Sequence, residues 1–131
     1  HLYDGSLKIY DENFEVSPLN TYAKTKYEGE VSVLKNNKNA LIIRTNFFGW
    51  GPSHKQSFSD FIYNQLKLKK STSLFSDVFY TPILVSELAN AIEKLIKKNC
   101  FGIYNVVSNE RLSKLDFGLK AQTSQEEIRI D

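Results

Sequence analysis

Methionine is absent from the 131 residues, and cysteine and tryptophan occur once each. A chain without methionine does not start at its own initiator, so a piece of a longer protein is expected. The lone Cys100 excludes an intrachain disulfide and suits a reducing cytoplasm. Histidine is confined to His1 and His54, and no acidic residues cluster at ligand spacing, so no metal site is expected. No apolar run approaches the roughly 20 residues of a membrane span, and no signal-peptide pattern opens the chain. A net charge of +2 gives no ground for nucleic-acid or membrane binding. The glycines Gly5, Gly29, Gly49, Gly51, Gly102 and Gly118 never form Gly-x-Gly-x-x-Gly. The phosphate cradle of a dinucleotide-binding half is therefore missing from these residues.

What is present is ordinary globular material, 41% hydrophobic and 24% charged, long enough for one modest core. The informative stretch is Ser17-Pro-Leu-Asn-Thr-Tyr-Ala-Lys-Thr-Lys-Tyr-Glu-Gly-Glu30. Pro18 favours an extended entry, and Asn20 offers a side-chain acceptor to the first free N–H groups of a helix. Residues four apart share a helix face, which brings Tyr22 and Lys26 side by side. A neighbouring cation favours a phenolate, and this fits a tyrosine for proton transfer near neutrality.

Tyr22-Ala-Lys-Thr-Lys26, with Pro18-x-Asn20 before it and Glu28-Gly29-Glu30 after it, resembles the Tyr-x-x-x-Lys region of the extended short-chain dehydrogenase/reductase superfamily. Within that superfamily the chain is most like the dTDP-4-dehydrorhamnose reductases. Tyr3-Asp4-Gly5 and the acidic Asp11-Glu12-Asn13 resemble the segment that leads into the family's catalytic helix. In the family a Ser or Thr binding the reacting oxygen lies just ahead of that Asp-Gly. Here its position would precede His1.

The rest of the chain follows in the family's order. A helix from about Asn20 to Lys35 should turn Ala23, Tyr27, Val31 and Leu34 to a sheet. The apolar run Ala40–Ile43 suits a parallel strand buried on both faces. A ligand belongs at the carboxyl end of such a strand, which makes Asn46 and Phe47 the substrate-side candidates. For Phe47 and Trp50, core packing is the competing reading. Phe58, Phe61, Ile62 and Leu66 mark a second amphipathic helix with Ser57 as cap. Leu74–Tyr80 reads as irregular or a short strand. Ser86 is read as the cap of a third helix with Leu88, Ala91, Ile92, Leu95 and Ile96 inward. Cys100 is read as a small buried hydrophobe. Gly102–Val107 is a second strand, Ser113 with Asp116 opens a last helix, and Thr123–Asp131 is a loosely ordered polar tail.

The resemblance implies an α/β fold, the C-terminal part of an NAD(P)-binding Rossmann-type reductase with parallel strands, flanking helices and a small substrate-binding subdomain. Residues 1–131 are expected to form one domain fragment. Residues 1–52 would hold the catalytic helix and a sheet strand, 53–122 mainly the substrate-binding subdomain, and 123–131 the tail. Tyr22 and Lys26 would serve as catalytic and cofactor-binding residues, with NADP or NAD as cofactor. The implied reaction is reduction of a nucleotide-linked 4-keto sugar. Epimerases and dehydratases of the superfamily share the same Tyr–Lys chemistry and stay open as alternatives. So does a non-catalytic binding subunit, since the regulatory subunit of methionine adenosyltransferase resembles this family. The expected partner is the nucleotide sugar, a homodimer is left open, and neither nucleic acid nor membrane is expected.

Overall fold

The computed structural model describes residues 2–7 and 9–127. In chain order the elements are α1 (Thr21–Asn36), β1 (Leu41–Arg44), β2 (Phe47–Phe48), α2 (Phe58–Lys67), β3 (Phe79–Tyr80), β4 (Ile83–Leu84), α3 (Val85–Lys97), β5 (Gly102–Asn105), β6 (Leu112–Ser113) and α4 (Lys114–Glu127). The α/β class holds, and two of the three strand pairs are parallel. The chain packs as two units, His1–Arg44 with Ala91–Val106, and Thr45–Asn90 with Val107–Asp131. Ala91–Val106 thus packs with the N-terminal part of the chain.

In the first unit β1 and β5 run parallel, with Leu41 opposite Gly102 and Arg44 opposite Asn105. The connection works because Asn99, two residues past the end of α3, sits at φ 52, a left-handed turn that lets the Cys100 N–H reach back to Leu95 O at 3.0 Å. Gly102 at φ 93 then aims its N–H at Ala40 O, 2.8 Å away, and starts the ladder. The strand is half-buried throughout rather than enclosed on both faces, because β5 is its one partner among the described residues.

Helix α1 starts where Asn20 accepts the Ala23 N–H at 2.9 Å. Its inner face differs from the expected one. Ala23 is fully buried and Glu30 and Leu34 are half-buried, while Tyr27 and Val31 are exposed. Ala23, Glu30 and Leu34 recur at seven and four residues and make one narrow stripe. The stripe is turned toward Glu30 because that carboxylate meets Arg44 of β1.

In the second unit β2 pairs with β4 in parallel and β3 with β6 antiparallel. Ser57 and Asp60 form a full capping box on α2, whose inward Ile62 is buried. Ser113 and Asp116 do the same for α4: Ser113 Oγ accepts the Asp116 N–H at 3.0 Å, and Asp116 accepts the Ser113 N–H at 3.0 Å. Phe117 on α4 meets Phe48, Phe58 and Tyr80 with ring centroids 5.1, 5.6 and 6.0 Å away.

Three local expectations are corrected. Ser86 lies inside α3, because β4 runs straight into a helix that already begins at Val85. Ile96 is exposed, whereas Leu88 is buried and Ala91, Ile92 and Leu95 are half-buried. The segment Thr123–Glu127 is helical, since α4 continues through it with Thr123 and Ser124 hydroxyls donating to Leu119 and Lys120 carbonyls. Residues 128–131 of the expected tail lie outside the described residues. Cys100 is a free thiol and only half-buried. Among the described residues no helix is long and apolar enough to cross a membrane.

Candidate active site

Tyr22 and Lys26 sit in the first two turns of α1, immediately after the Asn20 cap. The structure brings them together: the Lys26 ammonium lies over the Tyr22 ring, 5.7 Å from its centroid. Both side chains are exposed, Tyr22 by 58%. The Thr25 hydroxyl donates to Tyr22 O at 2.9 Å, which ties down the backbone between them. An exposed phenol beside a cation can give a proton to a developing alkoxide, and an exposed ammonium can bind ribose hydroxyls.

One turn further along, Glu30 is held by Arg44. The guanidinium donates from Nε to both carboxylate oxygens at 3.1 Å and from Nη2 to Oε2 at 2.6 Å. Its Nη1 donates to the Tyr3 hydroxyl at 2.8 Å, and that hydroxyl donates to Asp11 O at 3.0 Å. The two charged side chains are 8% and 13% exposed. Desolvation works to lower the Arg44 pKa, but the Glu30 carboxylate outweighs it and the pKa is raised. This assembly joins the N-terminal segment, α1 and β1. Sequence spacing gave no sign of it beyond the Glu28-Gly29-Glu30 match, because the partners are 14 residues apart.

The segment before α1 is ordered by polar contacts. Asp4 accepts from the Tyr10 hydroxyl at 2.6 Å and from the Ser6 N–H and hydroxyl at 3.0 and 2.8 Å. Those bonds, Tyr10 foremost, hold the Asp4 carboxyl below its usual range. Glu12 accepts the Asn105 N–H at 2.6 Å, which anchors the acidic loop at the end of β5.

Asn46 and Phe47 belong to the second unit. The Asn46 carbonyl accepts the Ile83 N–H at 2.9 Å, which starts the β2–β4 pairing. The Asn46 side chain is exposed, and Phe47 is 63% exposed. Trp50 is exposed too and rests edge-on against Tyr63, 5.3 Å between centroids. Neither ring is core. The loop behind them is pinned by Asp60, which accepts from Gly51 N at 3.0 Å and Ser57 N at 2.8 Å. These bonds, those from Ser57 first, keep the Asp60 carboxyl below its usual range. At Gly51 a Cβ would lie 2.5 Å from Lys55 O, so the loop needs glycine there.

A separate pocket of about 480 Å³ lies in the second unit, floored by Phe48, Leu84, Leu112 and Phe117 and edged by Glu87 and the Glu110–Lys120 ion pair. None of the four candidate residues lines it. Close by in sequence, Lys114 lies 3.5 Å from the Tyr80 ring centroid and 4.5 Å from that of Phe58. Burial lowers the Lys114 pKa and pushes the Tyr80 phenol up to about 12.

Tyr22 and Lys26, an exposed phenol and an exposed ammonium on one helix face, could hold hydroxyls of a sugar such as the ribose of a dinucleotide. The glycines where a Cβ would clash, Gly49, Gly51 and Gly118, are crowded by the protein's own atoms and cradle nothing. Among the described residues no His, Cys, Asp and Glu cluster could hold a metal.

The model of the RmlD substrate binding domain family matches residues 1–129. The chain is 28% identical over 124 residues to a probable low-salt glycan biosynthesis reductase, Agl14, of Haloferax volcanii, covering 92% of this chain and 41% of that protein. It is 28% identical over 123 residues to methionine adenosyltransferase 2 subunit beta of Xenopus tropicalis, covering 88% and 37%. The dTDP-4-dehydrorhamnose reductase of Bacillus anthracis, solved in complex with NADP, superposes with a TM-score of 0.87 at 26% identity, covering 95% and 44%. The chain thus spans about two fifths of the length of the curated relatives it matches.

Proposed function

We propose, since this chain belongs to the RmlD substrate binding domain family, that it is the catalytic-helix and substrate-binding part of an NAD(P)-dependent reductase acting on a nucleotide-linked 4-keto sugar. The observation that carries the reading is the Tyr22–Lys26 pair on the Asn20-capped helix. The likeness to a reductase crystallised with NADP and to a glycan biosynthesis reductase supports it.

A nicotinamide cofactor held by Tyr22 and Lys26 would supply the hydride. Tyr22 gives its hydroxyl proton to the alkoxide that forms at the sugar carbonyl. Lys26 stabilises the phenolate left behind and binds the ribose hydroxyls of the cofactor. The exposed Asn46 and Phe47 are assigned to the sugar nucleotide, Phe47 by packing its ring against it.

The test is NADPH oxidation by protein extended to the length of its relatives, offered a panel of 4-keto sugar nucleotides. Turnover by wild type, with both kcat and cofactor affinity lowered in Lys26→Met, is the expected result. A second reading, a binding subunit without turnover, is favoured by the likeness to the methionine adenosyltransferase subunit. It predicts no oxidation with any sugar on the panel.

A further inference from the structure

Lys26 has one acidic residue at helical neighbour spacing, Glu30, four positions on. Lys and Glu at that spacing pair readily on a helix. The same molecule shows such a contact on α3, where Lys97 and Glu93 meet at 2.6 Å. On α1 the contact is not made: Glu30 is turned to Arg44, and Lys26 lies over Tyr22 instead. The guanidinium occupies both carboxylate oxygens, and its remaining Nη1 is fixed by Tyr3. Such a forked grip is one a single ammonium cannot match.

We propose that Arg44 is a positioning residue that acts on the candidate site through Glu30: by capturing the carboxylate, it keeps the Lys26 ammonium on Tyr22. The Arg44–Glu30 pair is therefore more than a clamp between α1 and β1. Removing Arg44 strands a mostly buried carboxylate one turn from Lys26 and gives it every reason to draw that ammonium away. Its catalytic consequence rests on the reductase reading, whereas the side-chain rearrangement does not.

Both are measurable separately. The ¹⁵Nζ resonance of Lys26 is recorded in the 131-residue chain for wild type, Glu30→Gln, Arg44→Gln and the double variant. It should stay at its wild-type position in Glu30→Gln, move in Arg44→Gln, and return in Glu30→Gln/Arg44→Gln. A purely structural clamp predicts no return, since the double variant lacks the clamp as well. If Arg44→Gln does not fold, Arg44→Lys serves: one ammonium leaves a carboxylate oxygen to Lys26, so the resonance moves part of the way and Glu30→Gln again reverses it. An unmoved resonance in the folded Arg44 variant, or one that stays displaced in the double variant, overturns the proposal. In protein of the relatives' length, kcat should fall roughly twofold to fivefold in Arg44→Gln and recover in the double variant. Lys26 moving and returning without any change in kcat would leave the capture standing and remove its catalytic role. Loss of the reductase reading would instead show as full turnover in Tyr22→Phe.

Discussion

The two units secure their parts by different means. In the first, the helix bearing the candidate chemistry buries one side chain fully, Ala23, and is tied to β1 by one ion pair 14 residues apart in sequence. In the second, α2 and α4 each begin with a local capping box, and Phe117 gathers three other rings. The hold on α1 is concentrated in one ion pair, whereas the second unit spreads its side-chain contacts over two caps and a ring cluster. The contrast teaches that a helix can keep Tyr22 and Lys26 exposed when its hold is moved to a single strong contact one turn further along, at Glu30.

Substitutions can break this comparison. Arg44→Gln should cost the most, roughly 3 kcal/mol, because it strands one member of a mostly buried pair. Denaturant unfolding measures it, and a loss below that of a surface pair would show that the first unit does not depend on Arg44. In the second unit Ser57→Ala should cost about 1 kcal/mol, the value of one N-cap, with the aromatic cluster intact by near-ultraviolet circular dichroism. Phe47→Ala should leave the melting temperature nearly unchanged, since an exposed ring contributes within about 0.5 kcal/mol. In the extended protein the same change should raise KM more than it lowers kcat, as loss of uniform binding does.

Titration sharpens the comparison further. The carboxyls of Asp4, Asp60 and Asp116 lie below their ordinary range in the folded state, held there chiefly by hydrogen bonds. Their contribution is present above the unfolded value of 3.8 and is lost as pH falls through the folded values. Asp60→Asn should flatten that acid limb in the second unit. Tyr80 works at the other extreme: its phenol is raised from 10.0 to about 12 by burial, so the stabilisation is full below pH 10 and disappears as pH climbs toward 12. Tyr80→Phe should remove this alkaline loss.

Much of the architecture was legible because it is local. Asn20 as cap, the Ser113/Asp116 box and the Tyr22–Lys26 face all follow from spacings of four residues or fewer. What escaped depends on distant contacts. Tyr27 and Val31 are apolar and correctly spaced for an inner face, yet Glu30 lies inside because Arg44 waits there. Ser86 is a good cap residue displaced by a strand that feeds directly into its helix. The polar run after Gln122 continues a helix whose hydroxyls bond back to carbonyls four residues earlier. At the site, the exposure of Phe47 decides against core packing, a choice that composition left open.

The central claim is that Tyr22 is the proton donor, and one substitution addresses it with little structural disturbance. Tyr22→Phe removes a hydroxyl from a side chain that is more than half exposed and keeps the ring beneath Lys26. In protein of the relatives' length, kcat for NADPH-dependent reduction should fall by about 10²–10⁴, with KM for the sugar nucleotide and NADPH affinity nearly unchanged. Turnover close to wild type in Tyr22→Phe would contradict the account.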